Sequence, residues 1–408
     1  MGPGTDGPRQ RPRLPHRTGP QSRLSHGDGR LPRRARSPLN ATNGATDRDV
    51  RNLPALTGAR WLAALVVFVH HAGLAAYLSG EPQRSLLTVG RVGHVGVSFF
   101  FVLSGFVLLW STPPSASAAA FWWRRVARVV PLHLVTAAAA LLLGFTIAPS
   151  LGPRPATGGW PATIANAVLL SSWVPTWSQA GDPVSWSLVC EAFFYALFPA
   201  LALLAGRLRA RGAWALLVGA ALGALAAALA IDTATLDLSR VPLMRLPEFV
   251  AGVACGRLVQ VRAWPRMRSS VALLLLAVGW VIAGHASRPY AVALATLPGF
   301  VALIGALGEQ QSYGGTGDAF ARWLSRPTLV RLGEWSFAFY LVHILVMRTI
   351  EHTVISHPGW RVGPGLALLL GVLALALGIS ALLHHAIEVP ANAAIRVRTQ
   401  QRSPPLSP

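Results

Sequence analysis

Residues 93–110 read GHVGVSFFFVLSGFVLLW. No arginine, lysine, aspartate or glutamate interrupts the stretch. Runs of this kind are what a bilayer selects, since about 20 apolar residues in a helix cross its hydrocarbon core. Gly93, Gly96, Gly105 and Ser104 suit the close approach of a second helix.

Similar runs recur on both sides of this one. Of 408 residues, 52% are hydrophobic and only 12% charged, against about 25% charged in a soluble domain. The mean hydropathy is +0.46. So few charges cannot cover a water-facing surface, and the expected class is all-α, a polytopic transmembrane helical bundle. The net charge is +21, and every basic residue behind it is arginine. A nucleic-acid binder can be as basic, but these arginines sit in the tails and between apolar runs, as the positive-inside bias requires. The expected partner is therefore the lipid bilayer and not nucleic acid. Cys190 and Cys255 lie inside apolar runs, with no metal-ligand or disulfide spacing, and read as small core residues. No metal is expected.

Residues 1–52 are rich in Arg, Pro, Gly and Ser and have no apolar period. They read as a disordered tail without the apolar core of a signal peptide. Residues 53–391 read as the membrane domain, and 392–408 as a second disordered tail. Apolar runs fall at about 58–79, 92–111, 127–149, 162–178, 185–206, 212–231, 241–260, 270–286, 290–308, 329–350 and 364–387. If all crossed, the loops with Arg207–Arg211 and Arg262–Arg268 would lie outside, against the charge bias. The run 162–178 is short, broken by Pro175, and holds Asn166, Ser171 and Ser172. If it enters and returns, about ten spans and one re-entrant segment remain, both termini are cytoplasmic, and the basic loops join them there. A multi-pass protein of the plasma membrane is expected. Irregular backbone at membrane depth survives only beside protein or a cavity, so a cavity is expected near this segment.

Charged or polar groups inside apolar helices mark candidate sites. Arg60 and His71 are eleven steps apart, which returns to within about 20° of one helix face roughly 16 Å further along. That spacing puts His71 near mid-membrane, where a neutral imidazole can act as a general base, or simply bond another helix. One residue step turns a side chain by 100°, so His70 is expected to point elsewhere. Arg125 and Arg128 are three apart and share a face. Paired guanidinium forks suit phosphate oxygens, although on the residues alone an interfacial belt with Trp122 and Trp123 and snorkelling arginines is the better reading. Glu191 is expected just inside the outer end of a span, facing a partner from another helix. Ser185 and Ser187 lie one turn before it, and Ser187 and Trp186 are candidates for contact with a substrate, Trp186 by stacking. Glu248, His343 and Glu388 each read as interhelical bonds.

Taken together, these stretches resemble the membrane acyltransferase-3 family. Arg60 and His71 match its basic residue, ten residues, then histidine; Gly96–Phe106 match its GV-x-x-FFVLSGF run; Arg125, Arg128 and Pro131 match R-x-x-R before proline. Trp186, Ser187, Leu188 and Glu191 match WSL-x-x-E, Pro247–Gly252 match P-E-F-x-x-G, Tyr340, Leu341 and His343 match Y-L-x-H, and Glu388 with Pro390 match E-x-P. Where many members carry aspartate three residues before the arginine, this chain has Thr57. The resemblance implies transfer of an acyl group, by default acetyl, from acyl-CoA to a hydroxyl of a carbohydrate, lipid or small-molecule acceptor such as a secondary metabolite. It also implies that His71 is the essential histidine, with Glu191 and Arg60 in the catalytic set, and that Arg125 and Arg128 hold the donor. The competing reading is a multi-span transporter or channel without catalytic activity.

Overall fold

The computed structural model describes residue 2 and residues 53–394, apart from 76, 79, 91, 114, 234–235, 286–288, 313–314 and 355–360. The expected tails, 1–52 and 392–408, lie outside the described residues except for residues 2 and 392–394. The described helices are α1 (Pro54–Leu74), α2 (Gly80–Gly90), α3 (Gly96–Ser111), α4 (Ala118–Thr146), α5 (Gly159–Ala167), α6 (Trp186–Arg207), α7 (Ala210–Thr233), α8 (Pro242–Gln260), α9 (Ser269–His285), α10 (Pro289–Gln311), α11 (Ala319–Leu324), α12 (Pro327–Thr353) and α13 (Val362–Leu383). Past α13 a π-helical turn, His384–Glu388, carries the helix on to residue 394.

Local sequence accounts for the helix ends. Pro54, Pro242 and Pro327 open α1, α8 and α12, where the missing N–H costs no hydrogen bond. Ser117 and Asp318 cap α4 and α11 by accepting from the N–H groups of Ala120 and Ala321.

Eight helical stretches among the described residues are long and apolar enough to cross a membrane. Of the other two long helices, α8 carries Arg245, Glu248 and Arg257, and α9 has only 17 residues. The long helices run alternately up and down. At the end where α1 begins, the Ala55 N–H donates to Gln311 at the finish of α10, Gln260 of α8 donates to the Leu109 carbonyl of α3, and Arg257 donates to Leu208 after α6. At the end where α1 stops, Tyr77 donates to the Met347 carbonyl late in α12, and Tyr290 of α10 donates to Met244 of α8. These are called below the Arg60 end and the His71 end. Exposed Leu222, Leu274 and Leu370 coat α7, α9 and α13, a surface suited to lipid.

The run 162–178 is not one long helix. α5 has nine residues, about 14 Å at 1.5 Å per residue, too short to cross. Short 3-10 turns at Ser171–Trp173 and Pro175–Trp177 follow. The Asn166 carbonyl accepts from His133 Nε2 at 2.9 Å, midway along α4, so α5 reaches deep into the bundle. Asn166 also donates to Ser185, the residue before α6. The chain therefore delivers the start of α6 at depth, and that displacement decides where Glu191 lies.

Candidate active site

His71 sits in the last turn of α1. The expectation of a mid-membrane position took 58–79 as one span. The helix stops at Leu74, and Ala75 turns extended while its N–H caps the His71 carbonyl. His71 therefore lies in the last turn of α1, opposite His343 a little past the midpoint of α12.

The partner of His71 is His343, on α12, 272 positions away. His343 is 1% exposed, stacked on Phe339 with ring centroids 5.7 Å apart. Its Nδ1 lies 3.1 Å from the Phe339 carbonyl and must carry the proton. Its Nε2 is then a lone pair, and it accepts from His71 Nδ1 at 3.1 Å. The Val67 carbonyl, also 3.1 Å away, shares that same N–H. Both contacts hold the proton on Nδ1 of His71 and leave its Nε2 as the basic nitrogen. An expected interhelical bond at His343 is thus an orienting bond to the candidate base.

The His71 ring lines a cavity of about 550 Å³ at its end of the bundle, together with Trp186, Tyr340, Arg240, Arg245 and Arg348. His70 lines it too, contrary to the expectation that it turns away. The Gly90 carbonyl of α2 accepts from His70 Nδ1 at 2.8 Å, and His70 and Gly90 also line a neighbouring cavity with Leu74 and Leu87. Exposed Arg154 and Asp237 stand at the cavity's edge. Partial burial disfavours the charged form of Asp237, but hydrogen bonds from Ser239 and the nearby Arg240 and Arg245 outweigh it, and the carboxyl is held below its ordinary range. Arg245 is buried, bonded to Ser98 at 3.0 Å and paired with Glu248 at 3.2 Å. Rings of Phe101, Trp186 and Tyr290 stand 5.1–5.8 Å from its guanidinium.

Arg60, Glu191 and Ser187 line a second cavity, of about 60 Å³. This corrects the placement of Glu191 toward the outer face. Because α6 starts at depth, its second turn already lies level with Arg60 and within electrostatic range of Arg128 and Arg125. Tyr195 donates to Glu191 at 3.0 Å. Arg60 has the carboxylates of Glu388 and Glu191 in range, which supply the charge that Thr57 does not. Thr57 instead lies against the Gly333 backbone of α12. Ser187 turns to Tyr340, donating at 3.0 Å. Tyr340 borders both cavities.

Arg125 and Arg128 line a third cavity, about 370 Å³, with Arg124, Val389 and Asn392. They are therefore at the Arg60 end, apart from His71. The buried Nε of Arg125 has no partner. Beside it, Trp122, Val126, Val129 and Leu169 line an adjoining pocket of about 330 Å³ that shares Arg125. Among the described residues no three His, Cys, Asp or Glu side chains are grouped to hold a metal ion.

A family model described as an acyltransferase domain matches residues 53–385. The chain belongs to the acyltransferase-3 family. It is also 33% identical over 369 residues to Acyltransferase MdmB of Streptomyces mycarofaciens, covering 84% of this chain and 92% of that relative. No solved structure matches the chain. The transporter reading is set aside: the chain is an acyltransferase built as a transmembrane helical bundle. Of the residues that matched the acyltransferase-3 motifs, the fold brings His71 to Trp186 and His343, Arg60 to Glu191 and Ser187, and Arg125 to Arg128. The role of His343 was hidden because each histidine sits on its own helix. Its only signal was the Y-L-x-H motif.

Proposed function

We propose that this acyltransferase moves an acetyl group from acetyl-CoA to a hydroxyl of a carbohydrate, lipid or secondary-metabolite acceptor. The observation that carries the reading is the His343–His71 pair at the 550 Å³ cavity. It leaves His71 Nε2 unprotonated, as a base must be to take the acceptor's proton. Acyl transfer itself has support in the similarity to MdmB, which is named an acyltransferase.

In this reading Arg125 and Arg128 hold the donor's phosphates, and the unpartnered Nε of Arg125 is a donor awaiting an anion. The chain lies in the plasma membrane with both termini and the Arg60 end cytoplasmic, where acyl-CoA is made. The acceptor enters the larger cavity from the opposite face and stacks on Trp186. The acyl arm approaches through the 60 Å³ cavity, where Arg60 and Glu191 balance each other's charge.

The test is acyl transfer, or acyl-CoA turnover, in membranes matched for protein level. His71→Ala should lose about 10²- to 10⁴-fold in rate, while His70→Ala keeps most of the activity, because only His71 is bonded to His343. Equal activity in His71→Ala and the unaltered protein would end this reading.

A further inference from the structure

We propose that the phenol of Tyr340 is a second catalytic group, donating the hydrogen bond that holds the negative charge on the thioester carbonyl oxygen during transfer. The inference rests on the acyl-transfer reading above. Attack on a thioester gathers charge on its carbonyl oxygen, and a donor fixed in place for that charge is commonly the largest single contribution to rate.

Tyr340 stands where such a donor is needed. It borders both the large cavity of His71 and the small cavity of Arg60 and Glu191, the boundary an acyl group meets when donor and acceptor come from opposite ends. Its ring centroid lies 5.9 Å from His343, which lies 5.0 Å from His71.

The hydrogen bonding around the phenol leaves its proton free to turn. Tyr340 Oη lies 3.0 Å from the Val184 carbonyl. Ser187 Oγ lies 3.1 Å from that carbonyl and 3.0 Å from Tyr340 Oη. Two hydroxyl protons thus serve one carbonyl. When Ser187 donates to Val184, no buried carbonyl is orphaned if Tyr340 donates elsewhere, so redirecting its O–H to substrate avoids the cost of an unsatisfied group. Three arginines on the same cavity already hold carboxylate partners. Arg245 is bonded to Ser98 and Glu248, Arg240 to Asp237, and Arg348 to Glu351.

The step balances as follows. The acceptor oxygen attacks the thioester carbon, its proton passing to His71 Nε2. The C–O bond forms, and the carbonyl π pair moves onto oxygen, where the Tyr340 O–H meets it. As that pair returns, the C–S bond breaks and the thiolate leaves, taking the proton from His71.

The experiment compares Tyr340→Phe, Ser187→Ala, the double variant and His71→Ala in acetyl-CoA turnover with acceptor, alongside elution of the detergent-extracted protein. Removing one donor of this kind costs about 10²–10³-fold, so Tyr340→Phe should lose that much in kcat while KM for acetyl-CoA stays within about threefold. In Ser187→Ala the Val184 carbonyl keeps Tyr340 at 3.0 Å and otherwise only the long, 3.4 Å bond from the backbone N–H of position 187, so the Tyr340 proton is held back and kcat should fall about tenfold. The double variant should then be no slower than Tyr340→Phe. Should Tyr340→Phe fail to fold, fluorotyrosine incorporated at position 340 keeps the ring's shape while altering O–H acidity, and kcat should shift with it. If His71→Ala is inactive but Tyr340→Phe retains kcat within about threefold of the unaltered protein, or if fluorotyrosine leaves kcat unchanged, the role of Tyr340 is overturned and the transfer reading stands. A change in KM alone overturns it too. Full activity in His71→Ala removes the transfer reading itself.

Discussion

Both ring nitrogens of His343 are committed, one donating to the Phe339 carbonyl and the other accepting from His71. That leaves it unable to exchange protons with substrate and suited to orienting its neighbour. His343→Ala should lower kcat by about 10- to 100-fold, the range for losing a partner that orients a functional group. It should stay short of the roughly 10⁴-fold that follows loss of a sole orienting carboxylate, because Val67 still holds the His71 Nδ1–H. His343→Asn, which keeps an acceptor, should recover part of the loss. The check is turnover at saturating acyl-CoA, and full activity in His343→Ala would leave the bond structural. At this scale the sequence made His71 legible, since the Arg60 spacing and the motif both fall on one helix. It hid His343, because two histidines 272 positions apart share no periodicity.

Helix α3, whose apolar run announced the membrane fold, is placed by its glycines. A methyl at Gly252 of α8 would collide with the Val102 carbonyl of α3, and one at Gly105 of α3 with the Phe249 carbonyl of α8. The two backbones touch at this crossing, as small residues permit. Neither backbone can give way as a flexible side chain would. Gly252→Ala should therefore destabilise the protein by about 1–3 kcal/mol or more, the cost of overpacking. A fall in the melting temperature of detergent-extracted protein measures it. Gly219, which faces open space on α7, is the control and should accept alanine without loss. An equal Tm in both variants would show that the crossing loosens at no cost. The small residues of the α3 run were readable as a packing face, but their partner Gly252 was not, because many helices carry glycine and only the assembled bundle pairs them.

At the scale of the whole molecule, alternation of the long helices puts the turns near Arg209 and Pro265 at the Arg60 end, and those near Arg154 and Asp237 at the His71 end. All four residues are exposed. With the buried Cys190 and Cys255 replaced, single cysteines at 209 and 265 should react with an impermeant reagent only from the cytoplasmic face, and those at 154 and 237 only from the other. Labelling of 209 and 154 from one face would break both the ten-span count and the donor–acceptor separation built on it. The charge bias alone implied this alternation, through the one assumption that 162–178 does not cross.

The amino-acid sequence by itself determined the solvent, the class and the family. Scarcity of charge over long apolar runs leaves a lipid-embedded helical bundle as the physical outcome, and seven motifs in order carry the acyltransferase resemblance. Only the tertiary structure decided which of those motifs act together. Helical periodicity relates residues along one helix and says nothing of depth between helices. α5 enters the bundle as far as His133, α6 therefore starts low, and Glu191 comes level with Arg60 instead of facing the opposite side. The same packing sets His343 against His71 and Tyr340 between the two cavities.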